Sequence, residues 1–258
     1  MNDTSTVRHA ELTMDPQGIA TLTIAQAKSL NILSTPVIEA LTAALTRLRD
    51  DTRLRVLVLR GSGDKAFIGG ADIHEMAALE PASAERFITR LRALCDALRC
   101  LPVPVVARLP GWCLGGGLEV AMACDLRIGS DDARYGMPEV RVGIPSVIHA
   151  ALLPRLIGQS TAAWLLLTGE AIDADTALAW GLVHRSVPLA ELDAAVAHCA
   201  GQLARLGPRV LRQQKALLRS WETQTLDAAI DASVAEFGRA FTTGEPQAFM
   251  GEFVNRKR

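Results

Sequence analysis

Two carboxylates attract attention by where they sit. Glu119 lies in "CLGGGLEVAMACD" (113–125), a single charge at the head of an apolar run and directly behind three consecutive glycines. Leu118, Val120, Ala121, Met122 and Ala123 leave a helix there with almost no polar face, so the pattern predicts a buried carboxyl. Burial lifts a carboxyl above its usual value of about 4.3 and brings proton transfer into the neutral range. Glu139 follows in "YGMPEVRVGIP" (135–145), just after Pro138 and ahead of another glycine turn. Taken alone, Glu139 reads as a solvated loop residue. Two carboxyls in unlike environments, however, can divide the work of acid and base.

The glycines before Glu119 fit neither common phosphate loop. A dinucleotide fingerprint counted from Gly115 requires glycine where Val120 stands, and a P-loop requires lysine and a hydroxyl residue where Leu118 and Glu119 stand. What remains is a strand over 104–108, a turn "LPGWCLGGG", and a helix from about Gly117 to Cys124. Glycines at a helix start allow close approach to the backbone, and the first N–H groups of a helix have no partner within it. A second turn, "KAFIGGADIHEM" (65–76), follows a strand at 56–59 and runs through Gly69 and Gly70 into a helix expected at Ala71 or Asp72, with Asp72 suited to the first turn. An isolated Gly-Gly pair reads as tight packing. Two strand–glycine–helix turns can aim free N–H groups at one partly negative oxygen.

These turns need a frame. "ATLTIA" (20–25), "VLVL" (56–59), "PVVAR" (104–108), "DLRIGS" (125–130) and "GLVHRSV" (181–187) read as strands. Pro36 to about Asp50 and Ala82 to Leu101 carry helical spacing. After about Leu189 the strand signals stop, and "AELDAAVAHCAGQLARLG", "PRVLRQQKALLRSWE" and "TLDAAIDASVAEFGRAF" read as successive helices punctuated by Gly207 and Pro208. The fold class is α/β with a helical C-terminal part. With 258 residues, 49% of them hydrophobic, the chain can bury a large core. A net charge of −1 argues against a nucleic-acid footprint. No apolar run is long enough to span a membrane, and the first residues lack the order of a signal peptide, so a cytoplasmic location is expected. The cysteines (Cys95, Cys100, Cys113, Cys124 and Cys199) form no CxxC pair and read as buried free thiols. "HEMAA" (74–78) lacks the second histidine of a zinc protease, there is no G-x-S-x-G elbow, and no metal site is expected.

"GGADI" (69–73), "GWCLGGGLEVAMACDLRI" (111–128) and "YGMPEVRVGIP" (135–145) resemble, in order, spacing and type, the signature regions of the crotonase (enoyl-CoA hydratase/isomerase) superfamily. "LLTGEAIDADTALAWGLVHRSV" (166–187) resembles that family's segment after its active-site helices, and the likeness runs from about residue 8 to about 250. The resemblance implies a spiral of ββα units over 1–195, a helical oligomerisation region over 196–258, and a homotrimer or a hexamer built as a dimer of trimers. It implies an oxyanion hole from the N–H groups of Ala71 and Gly116. Glu119 would be the base that activates water for C3 of a 2-enoyl-CoA, and Glu139 the acid that protonates C2, giving a 3-hydroxyacyl-CoA. Coenzyme A enters as part of the substrate, with no separate cofactor.

For coenzyme A, the resemblance points to Lys28 in "AQAKSLN", Lys65 in "GDKAF", the turn Gly70, Ala71, Asp72 and Ile73, and the terminal "NRKR", the last toward a neighbouring subunit. By residue type alone these lysines are solvated surface charges. Other reactions of the superfamily, isomerisation, decarboxylation and thioester hydrolysis, and a non-catalytic acyl-CoA-binding role stay open beside hydration. One segment departs from the family pattern. Where many hydratases carry a glycine-rich "GAGGT" after the "IP", this chain has "SVIHAA" (146–151), about one residue shorter and bringing His149 toward the substrate channel.

Overall fold

The computed structural model describes residues 3–255. An N-terminal hairpin, β1 (Asp3–Val7) and β2 (Ala10–Met14), leads to β3 (Ile19–Ile24) and the helix α1 (Thr35–Arg49). Next come β4 (Val56–Gly61), β5 (Ala66–Ile68), a one-turn helix α2 (Ile73–Met76) and the long α3 (Pro81–Cys100). Then follow β6 (Val105–Leu109), β7 (Trp112–Leu114), α4 (Gly116–Ala123), β8 (Leu126–Ser130) and β9 (Arg134–Gly136). A 3-10 turn at Pro138–Val142 and a second at Ile148–Leu152 precede α5 (Leu153–Ile157), α6 (Gln159–Thr168), β10 (Ala171–Asp173), α7 (Ala174–Ala179) and β11 (Arg185–Val187). The chain closes with α8 (Leu192–Ala204), α9 (Pro208–Trp221), α10 (Leu226–Ala240) and α11 (Glu245–Asn255).

Two sheets result. The larger runs β1-β2-β3-β4-β6-β8-β11 and the smaller β10-β9-β7-β5. Pairing is antiparallel from β1 to β3 and parallel from β3 to β11. Each of β4, β6 and β8 lies in the large sheet and passes to a short strand of the small sheet, β5, β7 or β9, before the chain turns helical. That is the ββα order the resemblance implies. The apolar run of β4 shows why the large sheet is central. Leu57 and Leu59 face the main core with α1 and α3, while Val56 and Val58 face α8 through Val196, Ala200 and Ala204. A parallel strand covered on both faces has no polar side, and so reads as a continuous apolar run.

The five strands read from sequence are present, with one correction. Of 181–187 only Arg185–Val187 is strand; Gly181, at φ 77°, closes α7, and the N–H groups of Gly181, Leu182 and Val183 return to α7 carbonyls. The cysteines also need correction. All are free, but Cys100 is exposed and Cys199 half-buried, leaving only Cys95, Cys113 and Cys124 in the core.

The helical end of the chain is tied to the core by charge. Lys215 of α9 is buried, with Nζ 2.7 Å from Asp125 Oδ2, and donates to the carbonyls of Leu98 and Val103 at 3.3 and 2.9 Å. Arg219 meets the other Asp125 oxygen at 2.8 Å. Burial pulls the Lys215 ammonium below its ordinary range, and Asp125 opposes that pull. Removing one partner of such a pair strands the other, so the cluster fixes where α9 docks.

Candidate active site

Where β5 and β7 end and the chain turns helical, the structure opens a cavity of about 590 Å³. Its floor is backbone, from the turn Gly69–Ala71 and from Gly115 and Gly116 at the start of α4; its wall is Phe87, Ile88 and Leu91 of α3. Glu119 and Glu139 both line it.

The three glycines behind Glu119 have different reasons to be glycine. Gly115 caps α4 at φ 53° and ψ −125°, a conformation open to glycine alone, and a Cβ there would stand 2.5 Å from Glu139 Oε1. Gly117 packs on β5 so closely that a Cβ would lie 2.4 Å from the Ile68 carbonyl oxygen. Gly116 has neither constraint: a Cβ would meet only the mobile end of Leu91, at 2.9 Å. What distinguishes Gly116 is that it lines the cavity as the first residue of the helix, where the N–H has no intrahelical acceptor.

Ala71 reaches a similar state by strand geometry. It forms a parallel bridge with Leu33, in which the Leu33 N–H donates to the Gly70 carbonyl at 2.9 Å and the Asp72 N–H donates to the Leu33 carbonyl at 3.0 Å. Backbone groups alternate along an extended segment, so the intervening Ala71 N–H points away from that bridge. Among the described residues neither the Ala71 nor the Gly116 amide donates to a protein acceptor.

The carboxyls differ as their sequence surroundings suggest. Glu119 is 3% exposed, and its Oε1 accepts the Ala150 N–H at 2.9 Å. Burial pushes its pKa up to about 8; the Ala150 and His149 amides work against that and the charge of Glu139 adds to it. Glu139, in the 3-10 turn Pro138–Val142, is half-buried rather than solvated, and its Oε2 accepts the Ser146 hydroxyl at 2.8 Å.

Of the residues expected to meet coenzyme A, Gly70, Ala71 and Ile73 line the cavity. Asp72 stands just outside it and caps α2, its Oδ1 accepting the His74 N–H at 3.1 Å. Lys28 joins that group, with Nζ 2.6 Å from Asp72 Oδ2, and this hydrogen bond holds the Asp72 carboxyl below its usual range. Lys65 is not brought in: its side chain is exposed away from the cavity lining. Of "NRKR", Arg256 to Arg258 lie outside the described residues.

Comparison with known proteins follows the same lines. Residues 14–258 match the family model described as enoyl-CoA hydratase/isomerase. A crotonyl-CoA hydratase from Syntrophomonas wolfei is 34% identical over 241 residues, 93% of each chain. A short-chain-enoyl-CoA hydratase from Clostridium acetobutylicum is 32% identical, covering 93% of this chain and 92% of its own. The crystal structure of an enoyl-CoA hydratase from Bacillus anthracis superposes with a TM-score of 0.92 at 28% identity, covering 96% of both chains. The chain belongs to the crotonase superfamily.

Within that crotonase fold the departing segment "SVIHAA" has a definite place. It borders the cavity through Val147, and it supplies both the hydroxyl on Glu139 and the amide on Glu119. His149 is nearly buried, its Nε2 3.3 Å from Asp96 Oδ1 on α3, and burial lowers its pKa while Asp96 opposes the change. Its imidazole does not line the cavity. Ile148 sits at φ 41°, a strained setting for a β-branched residue. Ser146, the Ala150 amide and the apolar wall of α3 were not readable as site components from sequence; the only signal was the break from the family's glycine-rich pattern.

Proposed function

We propose that this protein hydrates a 2-enoyl-CoA thioester to the 3-hydroxyacyl-CoA. The observation that carries the reading is the placement, on one apolar cavity, of two carboxyls in unlike environments and two cavity-lining residues with unpaired backbone amides. The Ala71 and Gly116 amides would receive the thioester oxygen as negative charge grows on it; loss of one such donor commonly costs about 3 to 4 kcal/mol of barrier. That polarisation makes C3 electrophilic. Water adds its oxygen to C3 and gives one proton to the pair, and the pair returns one proton to C2, so the carboxyls end as they began.

The cycle needs one carboxylate and one carboxylic acid. Burial leaves the proton on Glu119 in the free protein near neutrality. For Glu119 to act as base and Glu139 as acid, that proton passes to Glu139 once substrate and water are bound; the repulsion between the two charges keeps one proton on the pair without deciding which carboxyl holds it. For coenzyme A, the cations to hand are Lys28, paired with Asp72 beside the turn, and Arg141, which lines the cavity itself.

The test is a panel of conjugated enoyl-CoA substrates of several chain lengths, followed by loss of their absorbance and by mass spectrometry of the products. Gain of one water supports hydration. An unchanged mass with a moved double bond, loss of carbon dioxide, or release of free coenzyme A would replace it with another crotonase reaction. Tight binding without turnover across the panel would leave an acyl-CoA-binding protein instead.

A further inference from the structure

The segment from Ser146 into the second 3-10 turn touches both carboxyls, and it does so by different means. Backbone holds Glu119: the Ala150 N–H is fixed by its own helical turn, itself tethered to α3 through His149 and Asp96. A side chain holds Glu139. Ser146 Oγ lies 2.8 Å from Oε2, and the loop that carries it folds back on the same residue through the Ile144 N–H, which donates to the Glu139 carbonyl at 3.2 Å. The other carboxyl oxygen, Oε1, lies over Gly115, a cavity-lining residue whose missing Cβ leaves the room.

We propose that Ser146 is a positioning residue, whose hydroxyl holds Glu139 by Oε2 so that Oε1 stands over Gly115 and faces the reacting atoms. This rests on the hydratase reading above. A half-buried carboxyl on a short turn still has several rotamers open to it, and holding one costs side-chain entropy. One hydrogen bond from the hydroxyl is of the right strength to select the rotamer. The strained Ile148 two residues on fits a segment whose path is fixed by what it must hold.

The experiment compares wild type, Ser146→Ala and Ser146→Thr by steady-state kinetics on conjugated enoyl-CoA substrates and by thermal denaturation. For Ser146→Ala we expect kcat about tenfold lower, the weight of one hydrogen bond, with KM within about twofold, as for a contact that acts on the reacting geometry rather than on uniform binding. Ser146→Thr, which keeps the hydroxyl, should restore most of kcat. An unchanged kcat in Ser146→Ala would overturn the proposal. So would a fall in kcat that threonine does not rescue and that comes with a lower melting temperature, since that is what loosened loop packing would give. A wild type that hydrates nothing in the panel would remove the hydratase reading, and this role with it; a hydrating wild type with an indistinguishable Ser146→Ala would remove this role alone.

Discussion

Glu119 stands where two requirements conflict. Proton exchange with water needs a carboxyl that can hold a proton near neutrality, and burial at 3% exposure provides one at about 8. The same burial makes the group a liability to folding. The unfolded chain loses this proton near pH 4.3, whereas the folded chain keeps it to about 8, so between those values the unfolded state is favoured progressively as pH rises. Glu119→Gln keeps an acceptor for the Ala150 amide but cannot ionise. We expect it to melt at nearly the wild-type temperature at pH 5 and at least ~5 °C higher at pH 8, by calorimetry in matched buffers; parallel melting curves at both pH values would contradict the buried-carboxyl account. Activity should go the other way. Either Glu119→Gln or Glu139→Gln should lower kcat by about 10² to 10⁴ while retaining substrate binding. Wild-type turnover should decline above pH 8, where the shared proton is lost.

At the scale of elements, the site depends on how closely α4 meets β5 and the turn that bears Glu139. Gly117→Ala must push the helix off the Ile68 backbone, 2.4 Å from the new Cβ, and should cost about 1–3 kcal/mol of stability. Gly115→Ala would drive a methyl into Glu139 Oε1; misplacement on the order of 1 Å there should cost about 100-fold in kcat. Gly116→Ala asks only for a shift of the Leu91 end and should melt close to wild type. Denaturation of the three variants in parallel gives the ranking, and equal losses would show that the glycine run is generically tight. That ranking could not be read from "LGGGLE". The run marked a close approach, but the reason differs at each position and comes from Ile68 and Glu139, which are distant in sequence. Long strands such as β4 and the helices α1, α3 and α9 were legible, because apolar spacing persists over many residues. The three-residue strands β5, β7, β9 and β10 are too short to show a period, although they build the small sheet behind the site. Ser146 was invisible as a partner for Glu139 because only the 3-10 turn brings them together.

For the molecule as a whole, the helical end poses a problem that the single chain does not solve. The Lys215–Asp125 cluster commits α9 to the core, and α10 packs back on α9. The outward side of α10 carries Leu226, Ile230, Val234 and Phe237 at 76, 57, 74 and 72% exposure, spaced as one helical stripe. Leu218 and Trp221 of α9 and Phe249, Met250 and Val254 of α11 are also exposed. A contiguous apolar surface of this kind on a water-facing helix marks an association face. Its occupant, we propose, is a second copy of the chain. In the trimer or dimer of trimers that the crotonase resemblance implies, one surface meets a different surface of the next copy, so each copy offers the same stripe once and the ring closes without leaving it bare. Light scattering after gel filtration should therefore give three or six times the 27.6 kDa chain mass. The double variant Val234→Glu, Phe237→Glu places charges where burial would strip their water and should shift the population to the single-chain mass. Because neither residue touches the cavity or the Lys215 anchor, its far-ultraviolet circular dichroism should stay that of wild type. A wild type that runs as one chain would assign the stripe to some other partner, and a variant that stays assembled would move the interface off α10.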